Sequence, residues 1–506
     1  MRTDPAGVWG EYQRGVAYNE GIGLYDKVRV NENFYIGRQW EGLYAPDLDK
    51  PVINVLRRVV SYFISMIVSD DVSASFVPFE QTERSERACR VLSAETSRLI
   101  EQTGFKDLSR DVVRSAAVDG DGCLYFYFDP EAETGSTARG RVCAELLENT
   151  EVHFALPAVH SLQRQPYIII STRRDIDAVR AEAKACGQDP GQIMTDSARE
   201  GWDAPEDDGM VTVLVKMWRE KGTVHCLKTT ASGAVRAPWD TGYRRYPVAW
   251  MSWDKVRRSF HGESALTAVI PNQIAINQLF AMGIYSVKTN AFPKILYDKS
   301  RIARWTNRVG EAIGVIGSPG EQAIAQSFRG GDMSAQVVQL IELLTQRTLE
   351  FMGASDASLG NVRPDNTSAI IATQKASAMP LELQRMEFYR FTEDCVRIMI
   401  DMMAVHYGVR PAACENEKPA PFDFATLRQA NLSTRVDIGS AAYYSELMQI
   451  ETLDNLFEKG IITDAVTYLE GIPDQYVRGK SRILEKLREK QQALETASGV
   501  QEKERR

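Results

Sequence analysis

Between His261 and Tyr407 the sequence sets its parts in an order that few folds accommodate. Two helix-forming stretches flank a short insert, a Gly/Ser/Asn loop follows, and one long helical pattern interrupted by Pro380 closes the run. Ser264 to Ile270 and Asn272 to Lys288 read as helix, Pro271 opening the second piece, and their polar positions are amides (Asn272, Gln273, Asn277, Gln278) more than charges. Such amide faces suit an ordinary solvated surface or the lining of a channel. Ala291 to Asp332 reads as a compact insert with strand patterns at Lys294 to Tyr297 and Ala312 to Ile316, closed by Gly330 and Gly331. Ser334 to Met352 returns to helix, with Val337, Ile341 and Leu344 on one face and Gln339, Glu342, Gln346 and Glu350 on the other. Gly353 to Asn366 is a loop, after which Thr367 or Ser368 caps a helix that runs to about Tyr407 with a kink at Pro380. Its second half repeats Phe388, Phe391, Cys395, Ile398, Met402 and Val405 in steps of three and four, the stripe of a helix packed on several neighbours.

The N-terminal half has the alternations of an α+β body. Val52, Val55, Val59, Phe63 and Met66 predict an amphipathic helix over Pro51 to Val68, with the proline near its first turn. Val72, Ala74 and Phe76 alternate as a strand ending at Pro78. Charged helices follow over Glu86 to Gln102 and Leu108 to Val118. The turn Asp119-Gly120-Asp121-Gly122 then leads into a strand, Cys123 to Phe128, paired with Arg141 to Leu147. Tyr167 to Thr172, Val211 to Trp218, Val224 to Thr229 and Tyr246 to Trp253 are further strands, interrupted by a helix at Ile176 to Cys186 and an acidic loop at Asp203 to Asp208. Beyond a Pro-rich linker, Pro411 to Pro421, the stretch Phe422 to Ile438 reads as extended. Ala441 to Glu489 reads as two or three short helices divided by Gly460 and Gly471. The tail from Arg478 holds nine Lys/Arg against five Glu, and its last dozen residues are expected to be mobile.

Composition removes several classes. A net charge of -8 argues against a cationic nucleic-acid binder, so any contact with DNA is local or weak. Seven scattered cysteines (Cys89, Cys123, Cys143, Cys186, Cys226, Cys395, Cys414) form no C-x-x-C pair and read as reduced, buried thiols. The polar stretch Met1 to Glu11 lacks the apolar core of a signal peptide. Val52 to Val68, the most apolar stretch, is too short and too charged (Arg57, Arg58) to span a bilayer. The expectation is a soluble protein made inside a cell.

Apparent catalytic motifs fail on spacing. A calcium loop beginning at Asp119 would need Gly at its sixth position and Glu at its twelfth, where Leu124 and Pro130 stand. Gly479-Lys480-Ser481 ends like a phosphate-binding loop, yet Asp474 occupies the place of its first glycine. His261-Gly262-Glu263-Ser264 reads as a turn before a helix start, without a nucleophile elbow. The five histidines show no i,i+4 pair, and Gly21-Ile22-Gly23 is too little for a dinucleotide fold. The expectation is a non-enzyme with no cofactor and no metal. A nucleotide-dependent enzyme using the Lys480 region, or another ring or adaptor component of a virus-like particle, is the alternative.

Several of these stretches together resemble bacteriophage portal proteins, over roughly residues 20 to 480. Asn33-Phe34-Tyr35-Ile36-Gly37 followed by Pro51-Val52-Ile53-Asn54 is similar to that family's Y-x-G and N-x-[IVL] opening. Ser259-Phe260-His261-Gly262-Glu263-Ser264, then Pro271-Asn272-Gln273 and Asn277, is similar to its G-x-S and Q-x-x-x-N entry into a first stem helix, and Thr367-Ser368-Ala369 opens the kinked helix. Each cue is loose, and their order is what carries the resemblance. It implies a portal-type α+β fold with a wing, a helical stem, a small α/β clip, a long kinked tunnel helix and a helical crown. Residues 1–260 and 368–440 would form the wing, 261–290 and 334–352 the stem, 291–333 the clip, 353–367 the tunnel loop, 441–490 the crown and 491–506 a mobile tail.

The resemblance further implies a ring of about twelve copies at one vertex of a virion capsid, made in a bacterial cytoplasm. Double-stranded DNA would pass through it without sequence preference and without membrane involvement. The implied partners are the large terminase subunit, head-completion and adaptor proteins, and the major capsid and scaffolding proteins. On that reading Gly353, Ser358, Gly360, Asn361, Arg363, Asn366 and Lys375 lie at the channel loop. Arg363 and Lys375 would be weak phosphate contacts, intersubunit ion-pair partners or plain solvated charges. Lys294, Lys299, Arg301, Arg304 and Arg308, in a stretch with six Lys/Arg against three Asp/Glu from Lys294 to Arg329, would dock a partner at the clip. A lining of amides and acids with few cations lets a polyanion slide, whereas strong phosphate contacts would trap it.

Overall fold

The computed structural model describes residues 1–46, 48–68, 72–78, 82–133, 139–196, 209–291, 294–302, 304, 316, 325–328, 335–354, 379–412, 420–428, 432–438, 450, 452–462, 464–472, 480, 482–484 and 486–487. Two helices that the apolar pattern does not reveal open the chain: α1 (Pro5–Gly21), capped by Asp4, and α2 (Leu24–Ile36), which starts and ends on left-handed glycines, Gly23 and Gly37. Helix α3 (Val55–Ile67) begins later than its periodicity suggests. Pro51 lies outside it, and Asn54 caps it by accepting from Arg57 N–H at 2.9 Å. Strand β1 (Val72–Pro78) and helices α4 (Glu83–Gln102) and α5 (Phe105–Asp119) follow as expected, and α5 stops at Gly120, whose φ of 96° ends the helix in the left-handed region.

The next strands build two sheets. In the first, β2 (Asp121–Asp129) lies between β3 (Arg141–Leu147) and β9 (Val248–Ser252), antiparallel to both. The second is an antiparallel meander of β4 (Val152–Phe154), β5 (Tyr167–Asp175), β6 (Met210–Glu220), β7 (Thr223–Thr229) and β8 (Ala234–Asp240), with α6 (Ile176–Ala185) crossing from β5. Buried on both faces, β5 and β6 read as near-continuous apolar runs. Ile169, Leu214, Trp218 and Leu227 pack under Val8 of α1, while Ile168, Ile170 and Met217 belong to the main core.

Lys216 breaks the apolar run of β6 and is wholly buried. Its Nζ donates to Arg2 O at 2.7 Å and bonds the Glu11 carboxylate, pinning α1 to the sheet. Burial lowers the Lys216 pKa although Glu11 opposes the shift. Removing one partner of a buried pair leaves the other charge uncompensated, so Glu11→Ala is expected to cost about 3 kcal/mol, against about 1 kcal/mol or less for removal of the exposed Asp26–Arg29 pair. Chemical denaturation of both variants checks this, and equal losses would mean that water reaches Lys216.

Beyond β9 the chain forms α7 (Ile270–Ala291), a hairpin of β10 (Lys294–Tyr297) with β11 (Ala325–Phe328), and α8 (Ala335–Phe351). Ser264 to Ile270 is not a separate helix: turns occupy 265–269 and α7 starts at Ile270. The expected strand at Ala312 to Ile316 lies, but for Ile316, outside the described residues, and β10 finds its partner in β11. Pro380 sits in a 3-10 turn, Met379–Leu381, and α9 (Glu382–His406) begins after it. The turn therefore stands where an α-helical kink was expected, and 367–378 fall outside the described residues. Phe388, Phe391, Cys395, Ile398 and Met402 are buried as their spacing requires.

The described ends of the Pro-rich linker lie in two paired strands, β12 (Val409–Ala412) and β13 (Ala420–Asp423), with Pro411 opposite Pro421, and 413–419 lie outside the described residues. A 3-10 turn, Phe424–Arg428, interrupts the stretch expected to be extended, and β14 (Leu432–Ile438) returns to pair with β1. Helical residues 452–458 and α10 (Ala465–Gly471) follow. The described cysteines are free, with Cys143 and Cys186 only partly buried, and Cys414 lies outside the described residues. The fold is α+β. No helix among the described residues is long and apolar enough to cross a membrane.

Candidate functional site

Of the stretches that carry the resemblance, 33–37, 51–54 and 273–277 meet at one joint at the base of α7, and Thr367-Ser368-Ala369 lies outside the described residues. Gln273 and Asn277, one turn apart, are buried, so these two amides are neither solvated surface nor channel lining. Gln273 accepts from Val55 N–H (3.1 Å) and donates to Ile53 O (2.7 Å) and Asn277 Oδ1 (3.0 Å). Asn277 donates to Gln39 Oε1 at 2.6 Å, and Gln39 donates to Phe34 O at 2.8 Å. Asn54 donates to Phe34 O and Tyr35 O, closing the circle. Segments more than 200 residues apart are thus fastened by amides whose polar groups are satisfied inside the protein. Asn272 is partly buried and Gln278 exposed, as a solvated face would have them.

A second knot ties the run-up to α7 to the first sheet. Asp121 is buried; its Oδ1 accepts from Ser252 Oγ (2.7 Å), Trp250 Nε1 (3.1 Å) and Gly262 N–H (2.9 Å), and its Oδ2 bonds His261 Nδ1 (3.0 Å). His261 Nε2 is buried with no hydrogen-bond partner among the described residues, beside the rings of Phe154, Trp250 and Phe260. Ser264 does not join it: its hydroxyl donates to Ala117 O and accepts from Leu266 N–H, both at 2.9 Å. Glu263 turns away to Lys27, at 3.0 Å. The four residues of His261-Gly262-Glu263-Ser264 therefore do not converge as nucleophile and base. A Cβ on Gly120 would stand 2.7 Å from Gly262 O, and one on Gly262 would stand 2.7 Å from Gly120 O, so these two glycines let the Asp121 and His261 segments touch.

From this base α7 extends 22 residues with Lys288 as its one charged residue. A groove of about 570 Å³ lies between Phe280, Ile284 and Val287 of α7 and Val338 and Ile341 of α8, so the end of one helix meets the beginning of the other. The pair runs antiparallel, with the hairpin beyond its tip. Both helices leave large apolar side chains in solvent: Met282 (59% exposed), Tyr285, Val287 and Ile274 on α7, and Val338, Leu340, Leu343 and Phe351 on α8. The two cations of the pair are engaged, Lys288 with Asp49 (2.6 Å) and Arg347 with Glu350 (2.7 Å).

Of the expected channel-loop residues, Gly353 is described. It follows α8 with φ 74°, and a Cβ there would stand 2.9 Å from the Pro380 ring. Ser358, Gly360, Asn361, Arg363, Asn366 and Lys375 lie outside the described residues. At the hairpin, Lys299 and Arg304 are exposed and Arg301 is partly buried. Lys294 stands in β10, and Arg308 lies outside the described residues. Lys480 donates to Ile472 O at 2.5 Å, an internal contact. Among the described residues no group of three His, Cys, Asp or Glu is placed to hold a metal. No family model and no curated protein matches this chain.

Proposed function

We propose that this chain is a phage portal protein, a ring-forming conduit for double-stranded DNA, with α7 and α8 as its stem and the β10–β11 hairpin as part of its clip. The observation that carries this reading is the character of the α7–α8 pair. A charge-poor helical projection with rows of half-exposed Met, Tyr, Val and Leu is unusual on a monomer, because exposed apolar area of that kind marks a surface that another chain covers. In a closed ring, copies of the same chain cover it. The engaged cations support the second half of the reading, since helices whose described Lys and Arg are both ion-paired hold a polyanion weakly. The amide joint supports it too, setting the stem rigidly on the α+β body. The ring's partners on this reading are the terminase motor during filling and the head-completion proteins afterwards, with the energy source on another chain.

Light-scattering mass with negative-stain images tests the proposal: twelve copies of 56.7 kDa give about 680 kDa, and rings with a central hole at that mass are the expected result. Met282→Glu combined with Leu340→Glu places charge on exposed positions, so the subunit is expected to keep its melting temperature while the ring falls to monomers. Rings that survive both substitutions would remove α7 and α8 from the interface. A wild-type chain that stays monomeric and hydrolyses ATP would favour the enzyme instead.

A further inference from the structure

Away from the stem, a cavity of about 800 Å³ lies between the two sheets, within the range of small-molecule sites. Tyr127 of β2, close to Tyr125 at 6.3 Å between ring centres, lines one wall. On β7 and β8 of the other, Lys228 stands directly across from Arg236, and Arg174 of β5 lies nearby. Like charges directly opposite one another destabilise a sheet. One carboxylate, Glu182, serves two of these cations, accepting from Lys228 and from Arg174 at 2.6 Å each. Burial opposes ionisation of Glu182, but those two hydrogen bonds win and hold its carboxyl below the usual range. Arg236 has no ion-pair partner among the described residues, and its guanidinium carbon stands over the Trp239 ring, 3.9 Å from the ring centre.

Two other acids, Asp240 and Glu145, line the cavity, and among the described residues neither forms an ion pair with Arg236. Asp240 accepts from Gly242 N–H at 2.8 Å. Glu145, across from Tyr125 on β3, has its pKa raised by burial even though Arg174 and Lys228 pull it down, so its charge is the more weakly held. The cavity therefore combines aromatic walls with three cations, two of them held by Glu182 and the third, Arg236, without an ion-pair partner among the described residues.

We infer that this cavity is a binding site for a small planar aromatic anion of the nucleoside monophosphate class, its ring against Tyr127 and Trp239 and its anionic group held by Arg236 and Lys228. An anion between Lys228 and Arg236 relieves their repulsion, and a ring beside Trp239 completes the stack that Arg236 begins. Neither half of such a ligand satisfies both features. None of the residues lining the site belongs to α7 or α8.

Isothermal titration calorimetry of the full chain with adenosine 5′-monophosphate, adenosine and inorganic phosphate tests the inference. The nucleotide is expected to bind with a Kd of order 100 µM, and each half at least about tenfold more weakly. Arg236 is exposed, so Arg236→Met leaves the core intact, and it and Trp239→Leu are each expected to weaken nucleotide binding about tenfold. Phosphate binding as tightly as the nucleotide would make this an anion site without aromatic recognition and overturn the inference. So would nucleotide binding unchanged in both variants. No saturable binding by any of the three would make the cavity a hydrated seam between sheets.

Discussion

Asp121→Ala is expected to destabilise this protein by at least about 4 kcal/mol, well beyond the loss that follows removal of one ordinary buried hydrogen bond. The carboxylate is buried and satisfies four groups at once: the Ser252 hydroxyl, the Trp250 indole N–H, the Gly262 backbone N–H and His261 Nδ1. Each buried donor left without an acceptor costs about 1–3 kcal/mol, and a neighbouring water cannot replace four bonds converging on one side chain. Trp250 and Ser252 belong to β9, Asp121 opens β2, and His261 and Gly262 lie on the approach to α7, so the loss also frees the stem from the body.

Two comparisons sharpen the result. Ser264→Ala removes one donor to Ala117 O and one turn cap, and is expected to cost about 1 kcal/mol. Asp121→Asn keeps the shape but turns an amide N–H₂ toward donors, and is expected to fall between the two. Denaturant midpoints measure all three; a loss below about 1 kcal/mol for Asp121→Ala would mean that the knot is hydrated and that Asp121 does not organise it.

This knot also marks where the sequence stops being readable. The strands β5, β6 and β7 were legible because both their faces are buried and apolar residues run through them, and α4, α6 and the second half of α9 were legible from spacing. Helices α1 and α2 were not, because each buries few residues and two of the three on α1 are polar, Glu11 and Asn19. Strand β8, exposed along much of its length, has no alternation to read. Lys216 resembles any surface lysine until β6 is placed under α1.

At the candidate site the sequence displayed the right residues with the wrong surroundings. Gln273 and Asn277 look like a wet helix face, and only their partners at Gln39, Ile53 and Val55 make them buried clamps. The one signal that pointed inward was the pair of glycine-containing turns, 119–122 and 261–264, since glycine next to a carboxylate and a histidine permits the close backbone approach seen between Gly120 and Gly262. The pairing of β1 with β14 spans more than 350 residues and leaves no local trace.

A second large effect concerns pH. Burial, reinforced by the charges of Glu32, Glu148 and Asp121 and opposed by Arg114, pushes the Asp119 carboxyl up to about 8. Burial pushes Glu151 up to about 7; the Glu148 N–H opposes that shift, and the charges of Glu148 and Glu145 add to it. Both groups are acids whose folded pKa exceeds the unfolded value, so between the two values the native state keeps a proton that the unfolded chain has lost. Stability from these two groups is therefore fully present below about pH 4 and is lost as pH rises through 7 and 8. Each tenfold difference in proton affinity between the folded and unfolded chain is worth about 1.4 kcal/mol, and because Asp119 is only partly buried as a residue, water reduces its share to about 2 kcal/mol.

Asp119→Asn reproduces the protonated form at every pH. One Asp119 carboxyl oxygen, Oδ1, is buried without a hydrogen-bond partner among the described residues, which is tolerable for a neutral group and costly for a charged one. The variant is expected to match the parent below about pH 4, to draw ahead as pH rises above that, and to exceed it by about 2 kcal/mol at pH 8, flattening that part of the stability profile. Glu151→Gln should do the same to a smaller extent, since its shift is smaller and its carboxylate already accepts from Glu148 N–H at 3.1 Å. Thermal melts of parent and variants from below about pH 4 up to about pH 9 separate the contributions. If Asp119→Asn were less stable than the parent at pH 8, the ionised carboxylate would have to be bound by Arg114 strongly enough to outweigh its burial, and the acidic cluster of Glu32, Asp119 and Glu148 would be a stabilising ion network rather than a strained one.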